Sequence, residues 1–193
     1  MQQLAQSDLY TLETYARERA DFRTCVLAHK QARKVHVGPH LTLLFEDRLT
    51  VQYQVQEMLR IERIFEAAAI QDELDAYNPL IPDGANLKAT MLIEYEDPAE
   101  RALKLVELHG IENRIALCIG DLSPVTAIAD EDLERSTDNK TSAVHFLRFE
   151  LSPAQVAAFK RGVEIVIAVD HPAYTHRAVL DVVARKALAD DLD

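Results

Sequence analysis

The C-terminal half of the chain contains the same order of predicted elements twice. Residues 87–135 and residues 141–193 each give a strand, a helix that opens on a proline, a glycine after that helix, and a β-hairpin. The markers of these steps are Asp97-Pro98, Gly110 and Asp130 in the first unit, and Ser152-Pro153, Gly162 and Asp181 in the second. Proline suits the first helical position, where its missing N–H is not needed, and glycine readily takes the positive φ that follows a helix. We therefore predict two β-α-β-β units, each followed by a further helix that the last aspartate of its set caps.

The whole chain is predicted to have an α+β fold. Its 193 residues lie within the usual size of one domain, so we expect a single domain over residues 1–193. Residues 1–86 are expected to form a mainly helical annex with one short hairpin at Gly38-Pro39, because alternating apolar residues flank that dipeptide. Side by side, the two β-α-β-β units would form an antiparallel or mixed sheet of about six strands covered by helices.

Two patterns compete within the segment LTVQYQVQEMLRIERIF, residues 49–65. Its first half alternates apolar and polar residues as a strand does, whereas the segment as a whole also fits a helical period. We predict a helix from Arg48 to Glu66, because Asp47 is a good N-cap and strong helix formers fill the second half. The expected buried stripe consists of Val51, Val55, Met58, Leu59 and Phe65. The side chains expected to point away from the core are Gln52, Gln56 and Arg60. A mixed seam suited to a protein interface would consist of Tyr53, Gln54, Glu57 and Ile61.

Charge and hydropathy exclude two classes of partner. Lys and Arg number 21 against 32 Asp and Glu, and the resulting net charge of −11 argues against nucleic acid or an anionic membrane surface as the main partner. The chain has no basic start followed by an apolar run and no uncharged apolar stretch of about 20 residues, so we predict a cytoplasmic protein outside the membrane. Cys25 and Cys118 stand far apart without a metal or redox motif, and we predict two buried, reduced thiols.

The sequence lacks the common motifs of catalysis and cofactor binding. It has no Gly-rich phosphate loop, no Gly-x-Ser-x-Gly elbow and no helical His-x-x-x-His pair, so we predict no cofactor and favour a protein that is not an enzyme. One metal alternative stays open, a site built from His36, His40 and a distant carboxylate.

A set of polar residues around the predicted long helix offers the best candidate site. If the loop of residues 78–83 folds back over that helix, carboxylate, amide and ammonium groups meet in a pocket that can bind a small polar ligand or transfer protons. The candidate binding residues are Gln54, Glu57, Arg60, Asp75, Asn78, Asp83, Lys88 and His40. The alternative interpretation is that the same residues form helix salt bridges and turn caps.

Four stretches of the chain carry a family resemblance. They are GPHLTLLFEDRLTVQYQVQEMLRIERI, DELDAYNPLIPDG, LKATMLIEY and KTSAVHFLRFEL. These stretches resemble a bacterial domain-of-unknown-function family, number thirty-five-oh-one, and the resemblance covers nearly the whole chain. It implies no established activity, cofactor or catalytic residue. It does imply an association with rubrerythrin-like proteins and iron–sulfur oxidoreductases, near whose genes family members are often encoded, and hence a role in redox or peroxide stress.

These observations lead to three hypotheses of function. The leading one is a non-catalytic accessory protein, a rigid scaffold that docks a protein partner such as a redox protein, or a second copy of itself in a homodimer. The second is an enzyme or small-ligand binder that uses the polar cluster, with His40 as a possible acid or base. The third is an iron or haem carrier, which depends on the histidines and on the family resemblance.

Overall fold

The computed structural model describes residues 2–131, 135–137 and 139–193. The helices of these residues are α1 Leu12–Gln31, α2 Arg48–Glu62, α3 Ala67–Tyr77, α4 Pro98–Glu107, α5 Pro153–Lys160 and α6 Val182–Ala189. The strands are β1 Lys34–His36, β2 Leu41–Phe45, β3 Asn86–Ile93, β4 Ile115–Ile119, β5 Val125–Thr126, β6 Ile128–Ala129, β7 Val144–Glu150, β8 Ile165–His171 and β9 Tyr174–Val179. The predicted α+β class is confirmed. None of the described helices has the length and apolar character needed to cross a bilayer.

The strands form two antiparallel sheets where the sequence suggested one. The larger sheet has the order β1-β2-β3-β7-β6 and the smaller one β5-β4-β8-β9. The two units nevertheless follow the predicted order of elements, and their first strands, β3 and β7, pair with each other. Their next strands, β4 and β8, pair in the other sheet. Helices α4 and α5 carry the chain from one sheet to the other, so each unit contributes to both.

The main core lies between the two sheets. Inward-facing residues alternate along each strand, as expected of sheets with one buried face. From the larger sheet they include Leu87, Ala89, Met91, Leu147 and Phe149, and from the smaller one Ile115, Leu117, Ile119, Ile165 and Ile167. All of these side chains belong to one contiguous apolar cluster, so burial of this surface holds the two sheets together.

The edges of the two sheets meet on both sides of the core. On one side, β5 and β6 are separated by Ala127 alone, whose N–H donates to the Ile115 carbonyl, so the chain bends from one sheet into the other. On the other side, the Tyr174 hydroxyl donates to the Val37 carbonyl. Gly38 lies at this contact with φ 74°, and a Cβ there would come within 2.6 Å of the Tyr174 hydroxyl. Only glycine fits both the backbone conformation and the space.

The segment with two competing patterns is a helix, as predicted. Asp47 caps α2 by accepting from the Thr50 N–H, and the strand interpretation is excluded. The helix ends at Glu62, four residues before the predicted end, because Arg63 takes a left-handed conformation with φ 57°. Phe65 therefore lies beyond the helix and is 66% exposed, so its placement in the buried stripe is wrong.

A second, smaller core joins α2 to α3 and to the N-terminal segment. Its buried members are Leu4, Val51, Val55, Leu59, Leu74 and Ile81. Met58 is only partly buried. Gln56 was expected to face solvent but is fully buried. The Tyr10 N–H donates to its side-chain oxygen at 2.6 Å, so the buried amide has a hydrogen-bond partner. A satisfied amide can occupy a core position that hydropathy assigns to the surface.

The N-terminal helix leaves one of the two cysteines exposed. Ser7 lies within a 3-10 turn, and Thr11 caps the single helix α1 that runs to Gln31. Cys25 faces outward on α1 and is exposed, so the prediction that it is buried is wrong, whereas Cys118 is partly buried. Both cysteines are free.

A buried arginine joins three parts of the fold. Arg33 follows α1, is 2% exposed, and forms an ion pair with Asp191, which follows α6. Its guanidinium also lies 3.4 Å from the carboxylate of Asp47, the cap of α2, which His29 contacts at 2.5 Å. It further donates to the backbone carbonyls of Phe45, Glu46 and Ala187. This cluster therefore ties the helical region to the larger sheet and to the C-terminus.

Candidate functional site

Glu57 is held by charged partners on α1 and does not face a cleft. Arg19 donates to its two carboxylate oxygens at 2.7 and 2.8 Å, and the Tyr15 hydroxyl donates at 2.7 Å. Arg60, one turn later on α2, adds an ion pair at 3.2 Å. The hydrogen bonds from Arg19 outweigh the opposing effect of burial and, with that from Tyr15, lower the pKa of Glu57 to about 2. At this point the seam predicted as a docking surface is covered by α1.

We expect Glu57→Gln to lower the free energy of unfolding by about 1–2 kcal/mol at neutral pH. The substitution removes charge-assisted hydrogen bonds, while the partial exposure of Arg19 limits their value. Because the folded pKa lies below the ordinary value of 4.5, the ionised carboxylate contributes stability that is complete above pH 4.5 and is lost as the pH falls toward 2. Urea unfolding at about pH 7 and about pH 3 measures this, and the difference between wild type and variant should shrink at the lower pH.

The matched control for this prediction is Glu62→Gln, which removes the same charge from an exposed position on the same helix. It should change the free energy of unfolding by less than about 0.5 kcal/mol. An equal loss of stability in the Glu57 variant at both pH values would contradict the role assigned to the ionised carboxylate.

The loop candidates are used within the fold. The Asn78 side chain accepts from the Leu4 N–H at 2.8 Å and donates to the Leu4 carbonyl at 2.9 Å, which holds the N-terminal segment in place. Asp83 accepts from the Ala85 N–H at 2.9 Å in a tight turn. Asp75 is exposed and accepts from a glutamine one turn earlier on α3. These contacts follow the cap and turn interpretation of the sequence.

Gln54 and His40 lie in different parts of the fold. Gln54 is partly buried on α2, near Tyr77 of α3. His40, at the turn between β1 and β2, stacks on Tyr95 with ring centroids 4.0 Å apart, and its Nδ1 lies 3.0 Å from the Glu94 carbonyl. Of the eight predicted residues, the structure pairs Glu57 with Arg60 and gives the others separate partners.

The histidines proposed as metal ligands, His36 and His40, also have separate partners. His36 Nδ1 and the Glu94 carboxylate both contact the hydroxyl of Thr42, so the hydroxyl stands between them. Within the described ranges, no three His, Cys, Asp or Glu side chains come together as a metal ion would need.

Lys88 does line a concave site, on the outer face of the larger sheet. Strand pairing places it directly opposite Arg148 on β7, which in turn lies opposite Ile128 on β6, so the three share one face. The cavity over them measures about 420 Å³. Its other lining residues are Ala76, Pro79, Leu80, Glu131, Phe146 and Leu147. We call this site the Lys88–Arg148 groove.

The charged groups of the groove are partly neutralised. Lys88 donates to the carbonyls of Pro79 and Ile81 at 2.6 and 3.0 Å. Burial, and to a lesser degree the positive charge of Arg148, lowers the pKa of Lys88, although nearby carboxylates act against this shift. Arg148 forms a bidentate pair with Glu131 at 2.7 and 2.8 Å and a further pair with Glu150.

A buried polar network lies where the first unit leads into the second. His145 on β7 is fully buried, and its Nδ1 lies 2.5 Å from the Asp130 carboxylate. Its Nε2 lies 2.7 Å from the Thr141 hydroxyl, which donates to Glu112 at 3.0 Å. The Ser136 hydroxyl donates to the second oxygen of Glu112 at 2.8 Å. The network thus places an imidazole between two carboxylates.

Both ring nitrogens of His145 face oxygen atoms of the network. Nδ1 faces a carboxylate, while Nε2 faces the Ser142 carbonyl and a hydroxyl whose proton goes to Glu112. Burial alone would raise the pKa of Glu112, but hydrogen bonds from its own N–H and from Ser136, with the charge of His145, hold that pKa below its usual value. All groups are satisfied internally, so the network can hold this region together without a ligand.

Asp130 was predicted to cap a helix at the end of the first unit. Instead it takes a left-handed conformation with φ 50°, and its carboxylate accepts from the Phe146 N–H at 3.0 Å. Residues 132–134, where that helix would begin, lie outside the described residues. The corresponding prediction for the second unit is confirmed, because Asp181 accepts from the Ala184 N–H and caps α6.

Helix α4 turns an apolar stripe outward. Ala99, Ala102, Leu103 and Val106 recur at the spacing of one helix face, and all four are exposed, Leu103 by 74% and Val106 by 53%. The corresponding helix of the second unit buries its own apolar residues, among them Phe159. We call the four residues the α4 face.

Sequence reasoning identified Lys88, but it did not identify the rest of the groove, the network around His145 or the exposure of the α4 face. The helical spacing of the α4 face is visible in the sequence, but that spacing ordinarily predicts a buried stripe. Arg148 and His145 alternate with apolar residues along β7. This alternation predicts a strand, but it does not identify the residues that contact the two polar side chains. Their partners come from segments that only the tertiary fold brings near.

Comparison with known proteins places the chain in a family. The DUF3501 family, described as a protein of unknown function, matches residues 3–192. The chain is also similar to a protein of unknown function from Burkholderia pseudomallei K96243 with a crystal structure, at 53% identity and a TM-score of 0.94, with 100% of each chain covered. Among curated proteins, none matches. The match over almost the full length shows that this chain belongs to the DUF3501 family.

Proposed function

We propose that this protein is a non-catalytic accessory protein that acts by assembling with another polypeptide through the α4 face. The observation that supports the proposal is the exposure of Leu103 and Val106 on the outer side of a helix whose Leu105 packs against the main core. An exposed apolar patch with a polar border is typical of a protein interaction site. The charged residues of α4, such as Lys104 and Glu107, form an ion pair beside the patch at 2.7 Å.

The second unit suggests what covers such a helix. There, α6 packs beside α5, and both helices bury apolar side chains. A helix from another chain would play the same part for α4. We propose a second copy of this chain as the occupant, with α4 against α4 across a two-fold axis. In an antiparallel crossing of this kind the small Ala99 and Ala102 face the larger Val106 and Leu103 of the other copy, which makes the stripe complementary to itself.

The wider role is the support of redox or peroxide-stress proteins in the cytoplasm. The support for the redox association is the gene neighbourhood that the family resemblance implies. The support for the compartment is that Cys25 and Cys118 are unpaired thiols, which persist where the surroundings are reducing. A homodimer would present two equivalent surfaces to such a partner.

Light scattering coupled to size exclusion tests the docking surface. The wild type is expected to elute as a dimer at about 50 μM, whereas Leu103→Glu should shift it to a monomer, because a buried unpaired carboxylate at a close apolar contact is strongly unfavourable. Val183→Glu is the matched control, since it places the same charge at an exposed valine on α6 and should leave the dimer intact. A monomeric wild type, or a dimer that survives Leu103→Glu, would overturn the proposed occupant.

A further inference from the structure

We propose that the Lys88–Arg148 groove binds a small amphipathic carboxylate, a molecule with one carboxylate head and an apolar body. This site shares no residue with the α4 face and does not depend on the function proposed above. The cavity of about 420 Å³ falls within the range of about 300–1,000 Å³ that is usual for small-molecule sites. Like those sites, it combines mainly apolar walls with a few charged groups.

The cations of the groove provide a place for the carboxylate head. Lys88 and Arg148 lie directly opposite each other on neighbouring strands, an arrangement that is unfavourable for like charges. They face the carboxylates of Glu131 and Glu150, both of which pair with Arg148, so the charged groups at this site balance one another. A carboxylate beside Lys88 supplies the counter-charge that its two backbone-carbonyl partners do not. A site without surplus positive charge favours a monoanion over a phosphate group, which carries nearly two negative charges at neutral pH.

Both cations retain hydrogen-bonding capacity. Two of the three N–H bonds of the Lys88 ammonium go to backbone carbonyls, and three of the five N–H bonds of Arg148 go to Glu131 and Glu150 within the described part of the chain. The remaining donors can bond a carboxylate while the existing contacts hold the two side chains in position. The two carbonyl contacts keep Lys88 ordered over the sheet, so binding loses little side-chain entropy.

The walls of the groove select an apolar body. On one side stand Pro79 and Leu80, from the turn after α3, and on the other stand Ile128 and Phe146, from the sheet. Ile128 lies on a two-residue strand and is 40% exposed, so a ligand that covers it removes apolar surface from water. A purely polar ligand would gain nothing from these walls.

Isothermal titration calorimetry with octanoate tests the proposal. Octanoate is expected to bind the full-length protein at least about tenfold more tightly than 1-octanol, which has the same tail and no charge, and no more weakly than octyl phosphate. Lys88→Met and Arg148→Met should each weaken octanoate binding by about tenfold or more, because each removes a charged donor. Ile128→Thr should weaken both octanoate and octanol, since it removes apolar contact only.

Two controls keep the experiment decisive. Lys186→Met removes one positive charge from an exposed site on α6 and should leave octanoate affinity unchanged. Leu103→Glu should also leave it unchanged, which separates this site from the α4 face. Thermal unfolding of every variant confirms that it is folded. Absence of octanoate binding, equal binding of octanol, tighter binding of octyl phosphate, or full affinity in both methionine variants of the groove would each overturn the proposal.

Discussion

Arg33→Met is expected to lower the free energy of unfolding by about 3–5 kcal/mol, the usual loss when one member of a buried ion pair is removed. The substitution leaves the carboxylate of Asp191 buried without its counterion, and it removes the positive charge beside the carboxylate of Asp47. It also leaves three backbone carbonyls without the donor that now reaches them. Urea unfolding followed by circular dichroism measures the change.

The loss should depend on pH in a defined direction. Burial raises the pKa of Asp191 to about 6, and Arg33 counteracts this shift only in part. An acid whose folded pKa lies above its unfolded value favours the folded state at low pH, and that contribution is lost as the pH rises through about 4 to 6. Removal of Arg33 raises the pKa of Asp191 further, so the difference between wild type and variant should be larger at about pH 7 than at about pH 5.

Two variants give this prediction its controls. Arg23→Met removes the same charge from an exposed position on α1 and should change stability by less than about 0.5 kcal/mol. The double variant Arg33→Met, Asp191→Leu should recover part of the loss, because no buried charge of that pair is then left alone. A double variant that is less stable than the sum of its two single variants would contradict the ion-pair explanation.

His145→Leu is expected to have a loss of similar size, about 3–5 kcal/mol, because it leaves the buried carboxylates of Asp130 and Glu112 without the imidazole between them. His145→Gln should lose less, since an amide can still donate one hydrogen bond. In the wild type, the pKa of Glu112 lies below its usual value of 4.5, so its contribution is complete above pH 4.5 and is lost as the pH falls.

Thermal unfolding across pH tests this account of the network. The leucine variant should lose most stability near pH 7 and lose less below about pH 4, where the contribution of the ionised Glu112 carboxylate is being lost. His109→Leu is the matched control, because His109 is exposed and contacts one backbone carbonyl. A uniform loss at all pH values would mean that His145 acts through packing alone.

Local signals in the sequence were sufficient to predict the order of elements and the start of α2, the helix whose segment carries two competing patterns. Asp47 caps α2 through Thr50, three residues later, and the prolines that open α4 and α5 act within one turn. The end of α2 was harder to predict, because Arg63 takes a positive φ that its residue type does not indicate. The same element therefore shows a predicted start and an unpredicted end.

For the candidate site, the sequence indicated single residues but not their partners. Glu57 was identified as a charged residue with a role, yet its partner Arg19 lies 38 positions away, on a helix whose orientation the sequence does not specify. Lys88 was identified without Arg148, which lies opposite it only because β3 pairs with β7 in one particular register. Proximity in space across long sequence separations is a property of the packed fold.

By itself the sequence determined the α+β class, the duplicated β-α-β-β order and the caps of α2 and α6, because each depends on residues within a turn of one another. The tertiary structure alone decided that the strands divide into two sheets, that Gln56 and His145 are buried with their hydrogen bonds satisfied, and that the α4 face points to solvent. These outcomes depend on which surfaces meet when the chain packs, and a periodic pattern states how apolar a surface is without stating what covers it.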